Sequence, residues 1–187
     1  MITGVCLNPS FDKTVEVDAL ALGEVNRIRS VRVDMGGTRC ILDAGGPVLR
    51  LGAEAGPFLL KPNLAELEQA LGAQLRTLRA IRDAALIFLR KGASHVVVSM
   101  GAMGAMYVSE ARTLYAPALR VEARSTVGAG DAMVGGMLLG LQKSGDMAQA
   151  FRYGIAAGAA SVMTEGTQLI HPEDFERLVS QVKVQEV

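Results

Sequence analysis

Between positions 95 and 100 the chain reads HVVVSM, with three β-branched residues in unbroken succession. Polar and apolar residues alternate in a strand with one wet face, and the lack of alternation here predicts a strand covered on both faces. Such a strand needs packed layers on either side, and the flanking sequence supplies helices for them. Leu78, Ile81, Ala85 and Phe88 fall at helical spacing and predict a helix that stops at Gly92. Upstream, Asn63 can cap a helix, with Glu66 at the reciprocal capping-box position, running to about Leu71. Downstream, Val134, Met137, Leu138 and Leu141 form one helical stripe, and Phe151, Ile155, Gly158 and Val162 a second. Phe175, Leu178, Val179 and Val182 form a third, with Pro172 suited to its first turn. Helices interleaved with buried strands predict an α/β sandwich.

The remaining runs are shorter. Ile2–Leu7 reads as a buried strand closed by Asn8-Pro9-Ser10, and Thr14–Val17 and Arg27–Val33 as strands of a half-exposed sheet. Cys40–Leu42 reads as a short strand, followed by the loop DAGGP, an amphipathic scrap at Val48–Leu51 and an apolar run at Pro57–Leu60. Ala105–Val108 and Thr113–Ala116 suggest a hairpin or meander. A length of 187 residues suits one domain with a proper core.

Charge limits the partners. Lysine plus arginine equals aspartate plus glutamate at 19 each, so no basic excess argues for nucleic acid or an anionic membrane. A small phosphate ligand needs only a local site. The two cysteines, Cys6 and Cys40, sit in apolar runs without disulfide or zinc spacing and read as reduced thiols in a core. The opening MITGVCLNPS lacks the pattern of a secretory signal, and the apolar stretches around Ala132–Leu141 and Ile155–Met163 are too short or too glycine-rich to span a bilayer. The expected location is cytoplasmic, with no membrane partner.

The stretch STVGAGDAMVGGM, Ser125–Met137, carries the chemistry. Glycines let backbone N–H groups converge on an anion, and the helix that follows adds its positive end. Gly128, Ala129 and Gly130 could therefore cradle a phosphate, and Asp131 could take a proton from an attacking hydroxyl. Spacing alone favours a blander reading, an aspartate in the first turn of a helix after a flexible loop, because short glycine motifs are weak evidence. His95 and His171 stand alone, and His95 on an apolar strand reads as a satisfied core histidine. The nine methionines read mostly as core filler. Arg27 could reach a substrate phosphate, although a solvated strand face explains it as well.

STVGAGDAMVGG resembles the C-terminal signature of the phosphofructokinase-B branch of the ribokinase-like sugar kinases. LNPSFDKTVEVDALALGEVNR is similar to the opening of 1-phosphofructokinases and tagatose-6-phosphate kinases, and PFLLKPNLAEL to their middle motif. VVVSMGAMGAMYV and AAGAASVMTEGT fit the same family pattern in the same order, so the resemblance covers nearly the whole chain. It implies a three-layer α/β sandwich with an N-terminal β-sheet lid, here a fragment at about residues 14–33. It also implies transfer of the γ-phosphoryl group of ATP to a hydroxyl of a sugar phosphate, with Mg2+. On that resemblance Asp131 is the general base, and Gly128, Ala129 and Gly130 form the anion hole. Asn63 and Glu66 match the Asn-x-x-Glu element that holds Mg2+ through water, with the capping box as a rival or simultaneous role. Lys61, Ser99, Gly101 and Gly104 would line the nucleotide site, although a plain β-turn explains SMGAMG by itself. Asp12 matches the residue that grips sugar hydroxyls, and Gly36 and Gly37 belong to the substrate side. Paired lid strands imply a homodimer.

The resemblance breaks after Gly37. In the family MGG leads to an asparagine that opens a helix, whereas Thr38, Arg39 and Cys40 follow here. TRCILDAGG is instead similar to a strand that family members reach much later. The pattern implies a segment deleted or omitted at the 37/38 junction within one domain spanning 1–187, and the stretch concerned would hold sugar-contacting and phosphate-gripping groups. A tight hairpin at VDMGGTRC is an alternative. The corresponding alternative in function is a shortened, non-catalytic nucleotide-binding or assembly remnant of such a kinase.

Overall fold

The computed structural model describes Val15–Glu16, Ser30–Val31 and residues 40–187 apart from Thr167. The strand expected at Ile2–Leu7, Cys6, Asp12, Gly36, Gly37 and the 37/38 junction lie outside the described residues. Two short strands, β1 (Val15–Glu16) and β2 (Ser30–Val31), pair antiparallel in a sheet of their own, within the two runs read as lid strands.

The main sheet follows chain order. Strand β3 (Ile41–Leu42) leads through helix α1 (Gly46–Glu54) to β4 (Leu59–Leu60). Helices α2 (Leu64–Leu71) and α3 (Leu78–Lys91) then connect β4 to β5 (His95–Ser99). The hairpin β6 (Ala105–Val108) and β7 (Thr113–Ala116) comes next, followed by α4 (Ala129–Ser144), α5 (Met147–Val162), α6 (Pro172–Gln181) and β8 (Gln185–Glu186). The six strands lie side by side in the order β3-β4-β5-β6-β7-β8, with β3, β4 and β5 parallel and each later neighbour antiparallel.

Both faces of the sheet are covered, as the Val96–Val98 run requires. Val97 packs with Met133, Met137, Phe151, Ile155 and Leu178 of α4–α6. Val96 and Val98 point the other way, into Leu49, Leu67, Ile81 and Phe88 of α1–α3. The result is a three-layer sandwich with one apolar core on each face, and all three valines are fully buried. Successive strand residues face opposite ways, so the middle of a strand between two cores favours apolar residues on both sides, and the polar His95 and Ser99 stand at its half-buried ends. His95, at the entry to β5, is half-buried, and the Tyr107 hydroxyl lies 2.9 Å from its Nδ1.

Two expectations need correction, and one strand has no counterpart in the sequence reading. The loop-and-scrap reading of residues 43–51 misses α1, which starts at Gly46 straight after an uncapped Gly45 and buries Leu49 and Ala53 one turn apart. Gly-Gly-Pro reads as a loop, yet proline is well tolerated in a first helical turn. Cys40 is exposed rather than in a core. It lies just before β3, where its carbonyl accepts a hydrogen bond from Leu59 N–H, and β3 is the outermost strand of this sheet among the described residues. Finally, β8 is a polar, exposed strand that pairs with β7 through its backbone alone, and no hydrophobic pattern marks it. No helix among the described residues is long and apolar enough to cross a membrane.

Candidate active site

The functional candidates gather where the parallel strands end. In open α/β sheets the carboxyl ends of parallel strands form the ligand crevice. Leu42 of β3 is in register with Leu60 of β4, so the residues that follow, Asp43 and Lys61, emerge side by side. Lys61 Nζ lies 2.9 Å from Asp43 Oδ2, with side-chain exposures of 3% and 15%. Burial pushes the Asp43 carboxyl above the ordinary aspartate range, with Lys61 opposing the shift and the charges of Glu66 and Asp131 adding to it. Asp43, Lys61, Glu66 and Asp131 therefore share one electrostatic neighbourhood.

The next residues are fixed by a helix start. Asn63 caps α2: its Oδ1 accepts the Glu66 N–H at 2.9 Å, and Glu66 Oε2 accepts the Asn63 N–H at 2.8 Å. This is the reciprocal capping box that the spacing predicts, and it fixes both side chains at the crevice. Ser99, at the end of β5, bridges to Asn63, and its N–H donates to Pro62 O at 3.1 Å. Glu66 also leans against Gly45, where an added Cβ would lie 2.7 Å from Glu66 Cγ. The first turns of α1 and α2 are thereby held together.

On the other side of the sheet, α4 points its first turn at the same place. Gly128 is its N-cap with φ 79°, a left-handed conformation that favours glycine and lets the chain turn sharply into the helix. Ala129, Gly130 and Asp131 are the first three helical residues, and Asp131 is exposed. A Cβ on Gly130 would sit 3.2 Å from Lys61 Nζ and 3.8 Å from Asp43 Oδ2, so the loop and the ion pair are in contact. The loop is tethered from behind, because Val162 O accepts from both Arg124 N–H and Ser125 N–H. Ala129 N–H makes a long 3.4 Å contact with Thr126 O, which an anion could displace. The opening amides of a helix have no intrahelical acceptor, so this terminus suits a phosphate.

Lys61, Asn63 and Ser99 thus lie at or just beyond the carboxyl ends of β4 and β5, Glu66 is tied to Asn63, and the Gly128–Asp131 turn reaches them through Gly130 beside Lys61. Gly101 follows close after Ser99, at the start of a 3-10 turn with open space beside it. Gly104 is buried, and its α-carbon packs against the backbone of Ala116–Ala118, so its placement is that of a packing residue. Asp43 escaped the sequence reading. Its signal was the match between ILD and LLK, two apolar runs each ending in a charge at the same offset, which becomes informative only once the strands are known to be parallel neighbours. Among the described residues no three His, Cys, Asp or Glu side chains are placed to hold a metal ion together. Mg2+ binds through as few as one or two carboxylates with retained waters and substrate phosphates, which Glu66 and Asp43 beside a phosphate-type cradle suit.

The pfkB family carbohydrate kinase pattern matches residues 25–174. The 1-phosphofructokinase of Rhodobacter capsulatus is 39% identical over 149 residues, which are 80% of this chain and 47% of that protein. The crystal structure of phosphofructokinase-2 from Escherichia coli in complex with substrates and products is 36% identical. It superposes with a TM-score of 0.70 over 78% of this chain and 48% of its own. Ribokinase from Thermotoga maritima superposes with a TM-score of 0.65 at 25% identity, over 78% of this chain and 50% of its own. The chain spans about half the length of the curated relatives it matches. With a ribokinase-like fold and a family match over most of its length, the chain belongs to the pfkB family of carbohydrate kinases.

Proposed function

We propose that the chain carries the phosphoryl-transfer site of an ATP- and Mg2+-dependent sugar-phosphate kinase of the cytoplasm. The type is fructose 1-phosphate to fructose 1,6-bisphosphate, with tagatose 6-phosphate as the next substrate. The observation that carries this reading is the meeting of the Gly128–Asp131 turn with the Lys61–Asp43 pair at the carboxyl ends of β3 and β4. Asp131 accepts the proton of the attacking sugar hydroxyl as its oxygen bonds to the γ-phosphorus and ADP departs. The amides of Gly128, Ala129 and Gly130 take up the charge on the transferring group. Lys61 adds a point charge, and Ser99 and Gly101 border the nucleotide. Bound Mg2+ supplies charge neutralisation on the phosphates, and Asn63 and Glu66 hold it through water, helped by Asp43. Asp12, Gly36 and Gly37 are proposed for the sugar. The β1–β2 pair supports a lid at about residues 14–33, through which two copies would pair.

Asp131→Ala should lower turnover by about a hundredfold to ten-thousandfold, the range for losing a general base, with little change in nucleotide affinity. A coupled ADP-release assay beside calorimetry measures both, and a variant retaining most of its turnover rules out Asp131 as the base.

The half-length match to the relatives favours a second reading, a non-catalytic remnant that keeps the nucleotide half of the fold. Calorimetry separates the two: heat from ATP but none from fructose 1-phosphate selects the remnant, and heat from both selects the kinase.

A further inference from the structure

Lys61 and Asp43 differ in one respect that matters for ligand exchange. The Lys61 side chain is 3% exposed, so its ammonium is largely withdrawn from water and is costly to leave without an anionic partner. Asp43, at 15%, reaches water and can lose its cation at smaller cost. The ammonium also lies against Gly130, within the first turn of α4, where the helix favours negative charge. A phosphate arriving there meets the fields of Asp43, Glu66 and Asp131 and is repelled unless a cation turns towards it.

We propose that Asp43 and the nucleotide phosphate are alternative partners of the Lys61 ammonium. Asp43 holds Lys61 in the nucleotide-free protein and yields it to a phosphate oxygen at the head of α4. Asp43 is then a positioning residue that keeps a buried cation paired and aimed at the cradle, and it competes with the ligand. This rests on the reading of that corner as a nucleotide-phosphate site. The pairing follows from strand register and burial: Leu42 opposite Leu60 brings Asp43 beside Lys61, whose side chain is almost fully buried.

The test is calorimetry with the β,γ-imido analogue of ATP in EDTA, on wild type, Asp43→Asn, Lys61→Met and the double variant. Removing the competitor should tighten binding about tenfold in Asp43→Asn, the scale of one charge-assisted hydrogen bond. In the Lys61→Met background the same substitution should leave affinity within about twofold, because the exchange acts through Lys61. An equal gain in both backgrounds reveals mere removal of negative charge and overturns the inference, as does no gain in either. Wild-type binding with no gain overturns this inference alone, whereas wild type that fails to bind the analogue overturns the phosphate-site reading as well. A second measurement needs no variant: a crystal of wild type with the analogue should show Lys61 Nζ on a phosphate oxygen. Persistence there of the 2.9 Å contact to Asp43 overturns the exchange.

Discussion

Lys61 is a charge in a place water does not reach, and the cost of that placement falls on whichever residue faces it. Removing one partner of a buried ion pair leaves an uncompensated charge, which typically costs about 3–5 kcal/mol. Asp43→Ala should therefore lower unfolding stability by about that amount, and adding Lys61→Met should recover most of it, both read by urea denaturation. A single variant losing less than about 1 kcal/mol would show that the pair behaves as a surface pair. At this scale the sequence was uneven. The placement of Asn63, Glu66 and Asp131 at helix starts was legible because each is tied to its helix start within a few residues of itself. Asp43 was not, because its partner lies across a strand register that no local spacing records. Cys40 misled for the same reason, since its apolar neighbours do not reveal that β3 is the outermost described strand of its sheet.

Element boundaries followed the local chemistry. The capping box and Gly72 bound α2 where the spacing placed it, and α3 runs from its Thr77 cap to Gly92. α1 was missed because its two glycines and proline are loop residues by propensity; burial of Leu49 and Ala53 against the sheet makes it a helix. At the start of α5, Asp146 accepts from Gln149 N–H at 3.0 Å and pairs with Arg112 at 2.8 Å. The Gln149 amide first, and Arg112 after it, hold the Asp146 carboxyl below its ordinary value of 3.8. A lowered carboxyl contributes stability that is present above its unfolded-state pKa and lost as pH falls through its folded-state pKa. Asp146→Ala should therefore cost about 1 kcal/mol at neutral pH, mostly the cap, because the half-exposed ion pair adds little. Thermal melts should show that gap narrowing below the ordinary aspartate pKa, and a gap constant down to strong acid would contradict the charged cap.

At the scale of the molecule, one sheet serves two cores. Phe151 is fully buried in the α4–α6 layer and Leu67 in the α1–α3 layer. Phe151→Ala should cost about 3–5 kcal/mol and Leu67→Ala about 2–5 kcal/mol. Because β4, β5 and β6 line both cores, each variant should shift a single unfolding transition. Circular dichroism and tyrosine fluorescence should coincide in both; separate transitions would mean that the layers unfold independently. Either loss is a large share of the total stability of a domain, which is only about 5–15 kcal/mol. Periodicity and caps were enough to announce a sandwich, its hairpin and the Gly128–Asp131 turn, since those signals lie within a turn or a strand of the residues they govern. The pairing of Asp43 with Lys61, the exposure of Cys40 and the polar strand β8 came only with the folded sheet. They depend on which strands become neighbours, and the burial of distant side chains, rather than any nearby residue, settles that.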